Sequence, residues 1–245
     1  MSRSFSTAIV VGASSGIGEQ LVRQLVADGC TVAAVARRGD ELARIAAELG
    51  ERVRTVVHDV RDFDAAPACF DRIVADLGGR VDLCVYNAGV MPSIDEHEVD
   101  FDKDRAMIEV NLLGAMRWLG LAGAHMEAAG AGTLCGISSV AGDRGRRANP
   151  GYHTSKAALT TYLESLRNRL SRYGVTVVTI KPGPVATDMT KGMRLPLMIP
   201  ADTCARAALS HMRAGSVEAY VPWAWSPIMT VIQAVPSFVF RRTNI

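Results

Sequence analysis

Tyr152 and Lys156, four residues apart in Pro150-Gly151-Tyr152-His153-Thr154-Ser155-Lys156, are the pair best suited to chemistry in this chain. On a helix that spacing puts both side chains on one face, one turn apart. A phenol ordinarily ionises near ~10, too high to trade protons unaided at neutral pH. An ammonium about 5 Å away, at an effective dielectric of about 20, favours the phenolate by roughly 3 kcal/mol. That is about two pKa units, enough to bring a tyrosine into working range. The expected chemistry is proton exchange by Tyr152, with Lys156 lowering the phenol's pKa. The same spacing also occurs on helices that merely face solvent, so the pair gains weight only from the elements that position it.

Those elements can be read from the hydropathy pattern. Short apolar runs at 8–11, 31–36, 52–57, 81–86, 132–137 and 175–180 suit strands buried on both faces of a parallel sheet. Helical patterns at 17–28, 40–49, 64–77, 103–129 and 152–173 alternate with them, and 217–222 supplies a last strand. Such alternation predicts an α/β fold, a doubly wound Rossmann-type parallel sheet with helices on both faces. With 245 residues, 49% hydrophobic and 21% charged, the chain is long enough to bury a core as one domain over 1–245. A formal charge of +2 gives no reason to expect nucleic acid as a partner. Cys30, Cys69, Cys84, Cys135 and Cys204 stand singly, without a CxxC pair, and read as small buried hydrophobes rather than disulfides or metal ligands. The N-terminus lacks the long apolar core of a secretory signal, which points to the cytoplasm.

The first strand runs into Gly12-Ala13-Ser14-Ser15-Gly16-Ile17-Gly18 and then a helix. Glycines there allow a sharp turn and let a pyrophosphate approach the backbone and the positive end of the helix. The spacing is GxxxGxG rather than the commoner GxGxxG, and its place between first strand and first helix gives it meaning. The second strand ends Val35-Ala36-Arg37-Arg38, with no carboxylate before Asp40. An acidic residue at that point would bind ribose hydroxyls, whereas arginine accommodates a 2′-phosphate. The expected cofactor is therefore NADP(H), with Arg37 the first residue to test.

With these segments in place, the chain resembles the short-chain dehydrogenase/reductase family from about Thr7 to Thr187. The resemblance rests on the glycine turn, His58-Asp59-Val60, Asn87-Ala88-Gly89, Asn111, Ser139, Tyr152 with Lys156, and Pro182-Gly183-Pro184-Val185-Ala186-Thr187. It implies that Asp59 and Val60 flank the adenine, and that Asn87, Ala88 and Gly89 line the cofactor. It implies that Pro182, Gly183, Val185 and Thr187 close over the nicotinamide. By the same resemblance Ser139 donates to the substrate oxygen and Tyr152 exchanges the proton. Lys156 also holds the nicotinamide ribose, and Asn111 links Lys156 to solvent through its backbone and a water. Ser138 is the rival of Ser139, which is preferred on spacing. Tyr86 replaces the usual first Asn of the NNAG motif, a departure expected to touch local packing only. Family members self-associate through their two long helices, so the resemblance implies a homodimer or homotetramer.

Two regions are particular to this chain. The loop 141–148 carries Asp143, Arg144, Arg146 and Arg147, a charge run expected to be solvated, or else to bind an acidic group. Residues 188–201, with Met189, Met193 and Met198, suggest a mobile lid over an apolar substrate. The stretch 222–245 is an apolar extension that Pro222, Pro227 and Pro236 break, leaving a helix over 227–235 with Ser226 as cap, too short to span a bilayer. It is expected to pack on the same or a partner subunit, cover the cleft, or lie at a membrane interface. The expected function is carbonyl reduction or alcohol oxidation on a small, apolar molecule. The alternatives are a membrane-associated reductase of a lipid-like substrate and a non-catalytic cofactor-binding regulator.

Overall fold

A computed structural model describes residues 3–95 and 97–243. Among the described residues nine strands are formed: β1 (Thr7–Val11), β2 (Thr31–Ala36), β3 (Val53–Val57), β4 (Leu83–Tyr86), β5 (Gly132–Ile137), β6 (Val175–Pro182), β7 (Val185–Ala186), β8 (Ile199–Pro200) and β9 (Glu218–Val221). Seven of them make one parallel sheet in the order β3-β2-β1-β4-β5-β6-β9, and β7 pairs with β8 apart from it. The helices are α1 (Gly16–Ala27), α2 (Gly39–Leu49), α3 (Ala66–Asp76), α4 (Phe101–Ile108), α5 (Gly114–Ala129), α6 (Pro150–Leu170), α7 (Ala201–Ala214), α8 (Trp225–Ala234) and α9 (Ser237–Phe240).

Alternate strand residues feed two apolar layers. Ala8 and Val10 face Leu21, Leu25, Leu42 and Leu209 from α1, α2 and α7. Ile9 and Val11 face Phe70, Ile73, Trp118 and Leu163 from α3, α5 and α6. Each fully buried leucine contributes about 1.5–3 kcal/mol of transfer free energy, so strands buried on both sides hold the sheet without alternating polarity. The exception is β3, an edge strand whose Val57 is exposed, so the expectation of burial on both faces does not extend to it. All five cysteines are buried and free.

The helix expected over 103–129 is not uniform. Between α4 and α5 the residues Glu109–Leu113 form a π-helical turn, and Asn111 lies inside it. A widened turn of this kind takes its backbone out of the regular hydrogen-bond ladder and often marks a functional site. Tyr86 holds the turn: its fully buried hydroxyl donates to the Val110 carbonyl at 2.5 Å. Any Cβ at position 114 would overlap that hydroxyl, so glycine is required there. Tyr86 therefore reaches beyond local packing, tying the end of β4 to the segment that carries Asn111.

Candidate active site

The glycine turn and the loop after β4 are built as one piece. Gly12 has φ +88°, and a Cβ on it would sit 2.5 Å from the Ala88 nitrogen. A Cβ on Gly18 would overlap the Gly12 carbonyl, which already accepts from Asn87 Nδ2 at 2.9 Å. The backbone there leaves no room for side chains, which keeps a glycine-walled groove at the start of α1. Ser15 is the N-cap residue of α1, yet its side chain does not cap the first-turn amides. Those uncapped donors, with the helix dipole behind them, suit an anion. Ile17 turns inward and packs against the core, and Gly16 faces Thr187, whose Cγ2 would lie 3.0 Å from an added Cβ. A cleft of about 640 Å³ opens here, lined by Ser14, Ser15, Gly16, Arg38 and Thr187, with Met193 and Met198 on its far side. These residues fit a dinucleotide phosphate.

The two arginines after β2 are not equivalent. Arg38 donates to Ser14 Oγ at 3.1 and 2.9 Å and to Ser15 Oγ at 2.5 Å, which places its guanidinium on the wall of the cleft. Arg37 is exposed and lies 3.9 Å from the Asp59 carboxylate. Asp59 is itself held by Arg61 through side chain and backbone. Hydrogen bonds from the Arg61 side chain keep the Asp59 carboxyl below its ordinary pKa range. Of the three carboxylates that line the cleft, Glu19 and Glu41 are paired with Arg44, and Asp188 stands on the 188–198 segment. Val60 is buried against Gly114, so its side chain belongs to the core, and adenine would meet only its backbone.

Farther along the carboxyl edge of the sheet, Ser139 follows β5 while Tyr152 and Lys156 ride on the first turns of α6. The Lys156 ammonium is buried, donates to the Ile137 carbonyl at 2.8 Å and stands 5.8 Å from the centre of the Tyr152 ring. Burial pushes its pKa down to about 8. The expected lowering of the tyrosine is absent: burial pushes the Tyr152 phenol up, and a hydrogen bond with Ser139 draws it only part of the way back. Lys156 points its amine at a carbonyl, so loss of solvent outweighs its influence on the phenol. Ser139 Oγ accepts from the Ala141 amide at 3.0 Å. Ser138 instead donates to the Lys156 carbonyl and meets Thr160 Oγ1, which removes it from contention.

Asn111 is fully buried and satisfied on every side. Its Oδ1 accepts from the Val90 amide at 2.7 Å, and its Nδ2 donates to the Val90 carbonyl and to Ser155 Oγ, both at 3.0 Å. Ser155, absent from the expectations, donates in turn to the Tyr152 carbonyl at 2.8 Å. A Cβ on Gly89 would come within 3.4 Å of Asn111 Oδ1 and 3.7 Å of Lys156 Nζ, so this glycine keeps the approach to the amine open.

A family model described as short chain dehydrogenase matches residues 6–196. The chain belongs to the short-chain dehydrogenase/reductase family. It is 34% identical over 239 residues to an uncharacterized oxidoreductase of Mycobacterium tuberculosis, covering 96% of this chain and 95% of that protein. It is 33% identical over 208 residues to cis-4-hydroxycyclohexanecarboxylate dehydrogenase of Sinomonas cyclohexanicum, covering 84% and 82%. Among solved structures, a short-chain type dehydrogenase/reductase from Mycobacterium ulcerans superposes with a TM-score of 0.81 at 26% identity, over 90% of this chain and 89% of that one. A structure titled ElxO with NADP bound has the same fold, with a TM-score of 0.80 at 20% identity over 92% and 100%.

Around this family core three of the four loop charges, Asp143, Arg144 and Arg146, are engaged by the protein itself rather than solvated, while Arg147 is exposed. Asp143 is buried, 2.7 Å from Lys181, and accepts from the Tyr220 hydroxyl at 2.9 Å. Lys181 also meets Glu218 at 2.8 Å. Burial alone would depress the Lys181 pKa, but its bonds to Asp143 and Glu218 more than offset that and hold it raised. Arg144 donates to the carbonyls of Ile232, Gln233 and Val235 at 2.7, 2.9 and 2.6 Å, closing the C-terminal end of α8, and stacks over Phe240 at 4.2 Å. A cation there also suits the helix dipole. Arg146 is partly buried against the Met229 sulfur. The extension thus packs on its own subunit: Trp225 and Met229 bury against Val140, next to Ser139. The Trp225 indole lies so close to Gly183 that a Cβ there would overlap it. Val185 is buried and pairs with Ile199, which closes the base of the 188–198 segment. Helix α8 begins at Trp225, so Ser226 is not its cap; the Ser226 carbonyl lies inside the first turn and accepts from Thr230 Oγ1.

Proposed function

We propose that the protein is an NADP(H)-dependent oxidoreductase that interconverts a carbonyl and a secondary alcohol on an apolar substrate, with Tyr152 as proton donor and acceptor. The observation that carries this reading is the meeting of the Ser139 hydroxyl, the Tyr152 phenol and a buried Lys156 amine at the carboxyl end of β5. NADPH, when bound, supplies the hydride. Ser139 would donate to the substrate oxygen and stabilise the charge that develops on it. Tyr152, held protonated by burial, would deliver its proton to that oxygen. At neutral pH the phenol is protonated, the form that donates in the reduction direction. With a pKa of about 8, Lys156 is mostly cationic at neutral pH and would hold the nicotinamide ribose hydroxyls. Asn111 would anchor this end of the site through Val90 and Ser155, joining the segment after β4 to α6.

Preference for the phosphorylated cofactor rests on Arg38 more than on Arg37. Arg38 stands on the cleft with hydroxyl partners only, so its charge is available to a 2′-phosphate. Arg37 already faces a carboxylate. The NADP-bound structure of similar fold agrees with this choice. The Sinomonas relative, named for an alcohol on a cyclohexane ring, agrees with the substrate class.

The test is turnover and binding with both cofactors. Purified protein should consume NADPH in the presence of apolar ketones and bind NADP⁺ more tightly than NAD⁺. Arg38→Asp should reverse that preference by about 10- to 100-fold, on the order of one good charge-assisted contact. Equal affinity for the two cofactors in the wild type would remove the cofactor assignment, and silence toward every ketone and alcohol tried would remove the activity.

A further inference from the structure

We infer that the mouth of this site docks on a lipid surface that carries anionic headgroups. The argument begins with topology. Strands β6 and β9 are parallel neighbours, with Pro182 opposite Val221. The 188–198 segment leaves just beyond the end of β6, and the 222–243 segment leaves the same end of β9. Both therefore emerge at the carboxyl edge of the sheet, beside Ser139 at the end of β5.

Each segment turns apolar side chains outward. Leu195 and Leu197 are exposed in the first. In the second, Trp223 is 77% exposed, Val231 65% and Phe238 61%. Helix α8 explains the pattern: Trp225, Met229 and Ile232 face the protein, leaving Ile228 and Val231, three residues apart, on the opposite side. Exposed apolar groups collected at one edge mark an interaction surface, whereas single ones scattered over a protein need no explanation.

The charges beside these groups select the occupant. Apart from Lys191 and Asp188, which line the cleft at the start of α1, the two segments contain Arg194, Arg241 and Arg242, all exposed, and no carboxylate. Three cations without an anion stand there, in a chain whose whole formal charge is +2. Aromatic and aliphatic groups flanked by arginine and lysine match the boundary between acyl chains and acidic headgroups. No helix among the described residues is long and apolar enough to cross a membrane, so the contact is interfacial. Docked this way, the carboxyl edge of the sheet that carries Ser139 would face the phase in which an apolar carbonyl or alcohol concentrates.

Vesicle flotation decides the question without any appeal to turnover. The full chain should float with vesicles of phosphatidylglycerol and phosphatidylcholine, and should float at least about 10-fold less with phosphatidylcholine alone. Raising salt from about 50 to about 500 mM should release it, because exposed charges are screened over that range. Val231→Glu with Phe238→Glu should lower vesicle binding about 10-fold or more while NADP⁺ binding and the melting temperature hold. Should that pair unfold the protein, Arg241→Gln with Arg242→Gln reads the same surface through its charges and should also weaken binding. Failure to float with anionic vesicles, equal binding to neutral ones, or binding untouched by folded variants would overturn the proposal. So would a wild-type dimer that the glutamate pair dissociates in the absence of vesicle binding, since that face would then belong to a second copy.

Discussion

Around Gly12, Gly18 and Asn87 the shape of the site comes from backbone packed against backbone, and a single added Cβ would collide at either glycine. Around Asp143, Lys181, Glu218 and Trp225 it comes from side chains of a loop, two strands and a C-terminal helix. The first region tolerates almost no change of residue type. The second can be rebuilt by exchanging side chains. One fold can therefore hold a cofactor site constant while the wall beside Ser139 varies. The comparison also bears on where stability and chemistry part: in the proposed reaction Ser139 and Tyr152 would face the reacting groups, whereas Asp143, four residues after Ser139, fixes the loop beside them.

Substitutions can break that comparison at either end. Ser139→Ala should lower kcat about 10²- to 10³-fold, equivalent to roughly 3–4 kcal/mol, as loss of one charge-stabilising donor does. Steady-state kinetics and NADP⁺ titration check it: melting temperature and cofactor affinity should stay unchanged. Asp143→Ala should reverse the pattern. Removing one partner of a buried pair costs about 3–5 kcal/mol, and because Glu218 remains beside Lys181 the lower end, about 3 kcal/mol, is expected by denaturant unfolding. Its kinetic signature should be a raised KM for the ketone more than a lowered kcat. Arg144→Ala removes a charged donor from three carbonyls, a loss of about 1.5–3 kcal/mol. Limited proteolysis should then cut within 225–243 well before the sheet is touched.

A pH series sharpens the comparison with the smallest change per step, about one pH unit at a time. Burial lowers the folded-state pKa of Lys156 to about 8, below its unfolded value of 10.5. Under neutral conditions its buried charge is a stability cost, and above about 8 the native state sheds a proton that the unfolded chain keeps. Stability contributed at this site therefore rises with pH from about 8 toward 10.5. Measured as the unfolding difference between wild type and Lys156→Met, the gain should approach about 1.4 kcal/mol per pH unit in that window. A difference flat with pH would show that the amine is better solvated than its surroundings indicate.

Much of the fold was legible because parallel strands buried on both faces read as continuous apolar runs, and the glycine turn and the YxxxK pair are local. The π-helical turn was hidden, since Glu109–Leu113 has ordinary helical composition and its cause, Tyr86, lies in another element. Gly114, a glycine inside a helical pattern just after Asn111, was the one available clue. The contacts of Asp143, Arg144 and Arg146 are hidden in the sequence for a similar reason: a charge run looks solvated until β6, β9 and α8 supply its partners. The direction of the Tyr152 shift also escaped, because spacing fixes how far an amine stands from a phenol but not how much water either one loses.

The account's central claim, that Tyr152 moves the proton, is tested most directly by comparing wild type with Tyr152→Phe for NADPH consumption on the best ketone substrate. Cofactor affinity is measured alongside by calorimetry. Turnover should fall at least about 100-fold in the variant, the usual contribution of a positioned acid, while NADP⁺ binds as before. A variant that still turned over at the wild-type rate with its cofactor bound would contradict the account.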